Sequence, residues 1–247
     1  LLGVPGRLPD SDVITEIALQ LGMPEALRDQ MLAGLPAADG LLLGFEASAD
    51  DTACLKLYLA FQGTNQPGFA PGLLPAPVIA TPDSDPVPSR LRYLGLKWEA
   101  TDPTSATRLT FYRSIETQDS NALVAQFSSL ATSMKIGQAL TSMVQTAILG
   151  RHDQARHSSD RDTKYGLPLC SVTEAGNPRD GLDLNVYSSG LTVAAIEGPL
   201  RKAAQIFDVE DDRFEKLMGL TRTARLGHLA GGIGKDGSEY LTVYFEP

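Results

Sequence analysis

Four short segments of the chain repeat one alternation of apolar, polar, apolar and Tyr. They are Leu55-Lys56-Leu57-Tyr58, Leu109-Thr110-Phe111-Tyr112, Leu184-Asn185-Val186-Tyr187 and Leu241-Thr242-Val243-Tyr244. A period of two marks half-buried strands. Each segment follows another strand-like run, so the four read as the return strands of hairpins. The pairs are 42–48 with 54–61, 91–99 with 107–115, 167–173 with 182–187, and 226–233 with 240–245. The turns fall at Asp50-Asp51, at Asp102-Pro103-Thr104, over 176–181, and at Asp236-Gly237, the last a strong signal for a tight hairpin. Helical spacing of apolar residues predicts two short helices within 10–35, a helical stretch over 120–149 that Gly137 divides, and helices at 194–207 and 212–224. Residues 150–165 read as a polar loop. Seven prolines in 63–90 exclude a regular helix there and predict a long surface loop.

Side chains alternate across a strand. Lys56 therefore shares a face with Tyr58, as do Arg108, Thr110 and Tyr112, then Asp183, Asn185 and Tyr187, then Tyr240, Thr242 and Tyr244. The other face carries Leu55, Leu57, Leu59, Leu109, Phe111, Leu184, Val186, Leu241, Val243 and Phe245. That face needs a cover, and the amphipathic helices supply it. A curled sheet would turn the tyrosine face inward, and four hairpins give enough strands for a chamber that holds a small ligand. The expected fold is α+β, an antiparallel β-barrel of repeated hairpins surrounded by α-helices, as one domain over 1–247. An open sheet with a solvated tyrosine face is the alternative.

Composition narrows the function. Of 247 residues, 43% are hydrophobic and 21% charged, which suffices for a core and excludes global disorder. The net charge of −9 argues against coating nucleic acid or an anionic membrane. An anionic ligand would need a local cluster of cations. No apolar run reaches the ~18 residues of a membrane span. Cys54 and Cys170 are too few for a disulfide framework, so a reducing, cytoplasmic setting is expected. The chain is also expected to be a monomer. The start, Leu1 to Pro5, lacks both the pattern of a signal peptide and an initiating Met, as an internal start would.

The polar face would present cations at Lys56, Lys97 and Arg108, with hydroxyls and amides at Tyr58, Tyr93, Thr110, Tyr112, Asn185, Tyr187, Tyr240, Thr242 and Tyr244. Cations with hydroxyl donors suit a phosphate-bearing ligand. Aromatic rings beside them suit a developing carbocation, by ~0.5–2 kcal/mol per ring. Glu46 on the first strand could take a proton from an aromatic nucleophile. His228 is a further candidate for the same face, and Trp98 alternates with the covered core. Other motifs carry less. The acids of Glu210-Asp211-Asp212 suit a helix N-terminus, and Asp50-Asp51 suits a turn. Gly231 to Lys235 lacks the first Gly and the Ser or Thr of a phosphate loop. His152 and His157 are five apart, off the spacing of two ligands on one helix face.

The hairpins carry a resemblance. Lys56-Leu57-Tyr58, Gly44-Phe45-Glu46-Ala47-Ser48, Gly95-Leu96-Lys97-Trp98 with Leu109-Thr110-Phe111-Tyr112, and Gly227-His228 through Thr242-Val243-Tyr244 resemble segments of the soluble ABBA-fold aromatic prenyltransferases. The resemblance is one of pattern over most of residues 10–247. It implies a barrel ringed by helices, with transfer of a prenyl group from an allylic diphosphate to an aromatic acceptor in the lumen. Lys56, Lys97 and Arg108 would hold the diphosphate. Tyr58, Tyr112, Tyr187 and Tyr244 would shield the allylic cation, and Glu46 would orient or deprotonate the acceptor. Thr110, Asn185, His228, Tyr240 and Thr242 would complete the lining. Some members of that family use magnesium and others do not, so no metal is indicated. The rival readings are a non-catalytic barrel holding an aromatic or phosphorylated ligand, and an open-sheet interaction module with 63–90 as its partner-binding arm.

Overall fold

The computed structural model describes residues 2–3, 10–47, 53–61, 90–99, 102, 108–115, 120–157, 167–175, 177–234 and 236–246. The side chains of 2–3, 45–47, 53, 130, 154–157 and 177–180 are outside that description. The expected turn at Asp50-Asp51, the proline-rich loop short of Arg90, and Pro103-Thr104 also lie outside the described residues. The chain divides into two compact units, Leu1–Ser114 with Val172–Pro178, and Ile115–Ser171 with Arg179–Pro247. The architecture is α+β. Hydrogen-bonded strands neighbour one another in chain order, and the pairs of described register are antiparallel. Among the described residues, no helix is long and apolar enough to cross a membrane.

The first unit begins with β1 (Leu2–Gly3), a short strand that the sequence pattern did not signal. It then carries α1 (Ser11–Gln20), α2 (Glu25–Gly34), β2 (Gly40–Ala47), β3 (Ala53–Ala60) and β4 (Leu91–Glu99), with β5 spanning Arg108–Ile115. Gly22 takes φ 68°, which permits the reversal between the two helices before Pro24 opens α2. Ile14, Ala18, Leu27 and Met31 leave these helices and pack on Leu57, Leu59, Leu94, Leu96, Trp98 and Phe111 of the sheet. Full burial of such a side chain is worth about 1.5–3 kcal/mol. Trp98 also donates its indole N–H to the Leu21 carbonyl at 3.0 Å, tying β4 to the end of α1. Leu57 and Leu59 of β3, Leu94, Leu96 and Trp98 of β4, and Phe111 of β5 are thereby committed to the helix side.

The second unit holds α3 (Ser120–Ala131), α4 (Gly137–His157), α5 (Glu197–Ile206), α6 (Asp211–Thr221), β8 (Arg225–Ile233) and β9 (Glu239–Glu246). β6 (Leu169–Glu174) and β7 (Asn177–Asn185) contribute residues to both units. The helices bury Phe127, Leu140, Met143, Val144 and Phe214 against Leu182, Leu184, Leu226 and Leu229, with Leu241 and Val243 packed at the margin. Residues 132–136 separate α3 from α4, and Gly137 opens α4 where a Cβ would collide with the Ala131 carbonyl. Glu239 of β9 caps α4 by accepting the N–H of Lys135 at 2.6 Å and of Ile136 at 3.0 Å.

Three expectations need correction. The helix of 120–149 continues to His157, so His152 lies on α4 rather than in a loop, its Nε2 3.4 Å from the Ser120 hydroxyl. The apolar signal ends at Leu149, yet the backbone stays helical past Gly150, where a Cβ would meet the Leu191 side chain at 2.7 Å. Small size at that point is a packing requirement and no stop. Next, β7 begins at Asn177 instead of Leu182, so Asn177-Pro178 opens a strand instead of forming a turn. β7 also ends at Asn185, which places Tyr187 in the 3-10 turn Tyr187–Ser189 that follows. Finally, Phe245 is 40% exposed rather than covered, being near the end of β9 beyond the bulge at Leu226/His228.

Candidate functional site

Register builds the candidate site of the first unit. Gly44, Lys56, Lys97 and Arg108 are successive partners across β2, β3, β4 and β5. Three cations thus occupy one row on three adjacent strands, on the face opposite Leu57, Leu96 and Leu109. Lys56 and Lys97 are half-buried and Arg108 is exposed. The next row in the same direction is Leu42, Tyr58, Gly95 and Thr110, and the row after it is Gly40, Ala60, Tyr93 and Tyr112. Tyr112 meets Tyr58 edge-on at 5.9 Å between ring centroids, and Tyr93 edge-on at 6.1 Å. Such edge-to-face pairs add about 0.5–1.5 kcal/mol to area burial and fix the rings relative to one another.

Gly95 makes this cluster possible. A Cβ at residue 95 would sit 3.1 Å and 3.3 Å from atoms of the Tyr58 ring and 3.5 Å from Thr110 Cβ. The ring of Tyr58 therefore lies across the bare backbone of β4. On the other side of the cation row, Glu46 pairs in register with Cys54, which in turn pairs with Glu99. The Glu46 side chain is outside the described residues.

A different cluster forms in the second unit. Asn185, His228 and Tyr244 are partners across β7, β8 and β9, and the adjacent row is Asp183, Ala230 and Thr242. His228 Nδ1 lies 2.6 Å from Asp183 Oδ1. The imidazole meets Tyr187 edge-on at 5.5 Å and Tyr244 edge-on at 5.8 Å. Tyr187 lies against Gly227, where a Cβ would stand 2.7 Å from its ring. Its N–H donates to Asn185 Oδ1 at 3.2 Å, and its carbonyl accepts from Arg225 at 3.0 Å. Burial pushes the Tyr187 hydroxyl above the usual phenol range, the Glu246 carboxylate adds to that rise, and the Arg225 guanidinium opposes it. Tyr240 lies over Gly181, where its hydroxyl occupies the place of a Cβ.

The sequence-predicted residues thus fall into two groups. Lys56, Lys97, Arg108, Tyr58, Thr110 and Tyr112 share one face of the first unit. Asn185, His228, Thr242 and Tyr244 share strand rows of the second, with Tyr187 reaching His228 from the turn and Tyr240 over Gly181. Asp183 was missed as a site residue, although alternation with Asn185 was its signal. The glycines beneath the tyrosine rings were missed too, because cross-strand partners are not readable from one strand. A cavity of about 120 Å³ lies elsewhere in the second unit, on the helix side among Phe127, Met134, Leu140, Gly181 and Gly231. Among the described residues, no group of three or more His, Cys, Asp or Glu could hold a metal ion. No protein-family model matches the chain, and no curated protein matches it significantly.

Proposed function

We propose that the protein transfers a prenyl group from an allylic diphosphate to an aromatic acceptor, using the tyrosine face of the first unit. The observation that carries this reading is the row Lys56, Lys97 and Arg108, set directly beside the Tyr58, Tyr93 and Tyr112 rings. A diphosphate carries about three negative charges near neutral pH, which three cations on adjacent strands can match. This local supply works against a chain-wide charge of −9.

In the proposed reaction, the allylic C–O bond ionises and pyrophosphate stays on the cation row. The carbocation lies against the electron-rich tyrosine faces, which stabilise it and exclude water. The acceptor ring attacks, forms the new C–C bond and then loses a proton. Glu46, two residues from Gly44 at the end of the cation row, is the proposed group that orients or deprotonates the acceptor. The finer fold reading, an ABBA-type barrel, belongs to the same proposal. Antiparallel hairpins in chain order and helices packed on one strand face support it.

The test is incubation of the protein with a panel of allylic diphosphates and aromatic acceptors, read by mass shift of the acceptor and release of pyrophosphate. Prenylated product supports the reading. Saturable binding of pyrophosphate without product over the panel supports the non-catalytic holder of a phosphorylated ligand instead. A folded protein that gives neither product nor binding overturns both.

A further inference from the structure

The second unit contains a carboxylate–imidazole pair that the transfer reaction above does not use. Asp183 Oδ1 and His228 Nδ1 are 2.6 Å apart, and their side chains are 13% and 20% exposed. A carboxylate at Nδ1 fixes the proton there, so Nε2 becomes the nitrogen with a lone pair to offer. The ring plane is fixed as well, by edge-on contacts with Tyr187 at 5.5 Å and Tyr244 at 5.8 Å. Tyr187 is itself anchored by Asn185, Arg225 and the bare backbone of Gly227.

We infer that Asp183 and His228 form a proton-accepting site for an aromatic hydroxyl. His228 Nε2 is the acceptor and Asp183 the positioning residue. The O–H bond of the bound phenol breaks, its electron pair stays on oxygen as phenolate, and the proton forms an N–H bond at Nε2. The resulting imidazolium is held by the Asp183 carboxylate. Tyr187 and Tyr244 supply the aromatic walls against which a phenol ring packs. Among the described residues, the charged and titratable groups around the imidazole are Asp183, Tyr187 and Tyr244, with Arg225 and Glu246 register partners across the ends of β8 and β9. The site stands on the second unit's residues alone.

The experiment is a titration of the whole protein with 4-nitrophenol, at a pH between the ordinary imidazole midpoint of about 6.5 and the higher midpoint of this phenol. Wild type is expected to bring up the phenolate absorbance saturably. His228→Gln loses the signal, and Asp183→Asn lowers it. Nitrogen NMR of the imidazole gives a second reading that needs no variant. The Nε2 resonance of His228 in wild type should move on adding 4-nitrophenol. In Asp183→Asn, the Nδ1–H tautomer should cease to dominate, which distinguishes positioning from a loss of fold. Wild type without a saturable signal, a His228→Gln signal equal to wild type, or an Nε2 resonance that stays still would each overturn the inference. No allylic diphosphate is present, so its failure and the failure of prenyl transfer are separate results.

Discussion

Lys56 and Lys97 are register partners across β3 and β4, so two ammonium-bearing side chains start from directly opposed positions on one face. Arg108 continues the row on β5. Like charges placed directly opposite are unfavourable in a sheet. An anion bound between them would reverse the sign of that interaction.

Pyrophosphate should therefore stabilise the protein against unfolding. At a hundred times its dissociation constant the gain is about 2.7 kcal/mol. Lys56→Ala and Lys97→Ala are each expected to lose most of it, and raised salt should weaken it in wild type. Thermal melts with and without pyrophosphate provide the check. Lys56→Ala should also abolish diphosphate release from a labelled allylic donor while leaving the circular dichroism unchanged. Unaltered release would remove Lys56 from the mechanism.

Gly95 is expected to be intolerant of side chains because the Tyr58 ring occupies the space above it. Gly95→Val should cost about 1–3 kcal/mol, the usual penalty for overpacking. Adding Tyr58→Ala should recover part of that cost. A double-mutant cycle by denaturant unfolding measures the coupling. Strict additivity would show that ring and backbone do not contend for the same space.

Glu239 of β9 holds the two residues that lead into α4, Lys135 and Ile136. Glu239→Ala should destabilise the protein by about 0.5–2 kcal/mol, the range for losing a helix cap. Glu239→Gln keeps one acceptor oxygen but sets its amide NH2 against the other N–H, so it should recover only part of that loss. Denaturant midpoints of the three proteins decide this. Equal loss in both variants would show that accepting one N–H alone does not hold the cap.

Tyr187 should ionise later than an ordinary phenol, because burial and then Glu246 raise its midpoint. The neutral form is favoured in the folded protein. Its contribution to stability is therefore complete below the ordinary phenol value near 10.0 and is lost as pH rises through the higher folded value. Spectroscopic titration of phenolate should show a late component that Tyr187→Phe removes. Tyr187→Phe should also flatten the alkaline decline of stability.

Individual residues show how far the sequence alone reached. The period of two assigned Leu57, Leu96, Trp98 and Phe111 to the covered face, and all four are buried beneath α1 and α2. It also placed Lys56 with Tyr58, and Arg108 with Tyr112, since alternation along one strand is fixed by the geometry of the peptide backbone. Apolar spacing located α1, α2, α5 and α6 for the same local reason. Other features had no local signal. The alignment of Lys56, Lys97 and Arg108 depends on the register of three strands, two of them joined through a long intervening segment. Tyr187 fits the repeated pattern in sequence but stands in a turn, because β7 stops at Asn185. Gly95, Gly181 and Gly227 make room for rings that come from other segments. Asp183 and His228 are 45 residues apart and meet only through pairing of β7 with β8. A chain encodes which face each residue takes by its own backbone alternation, while the neighbours on that face are chosen by hydrogen bonds between distant strands.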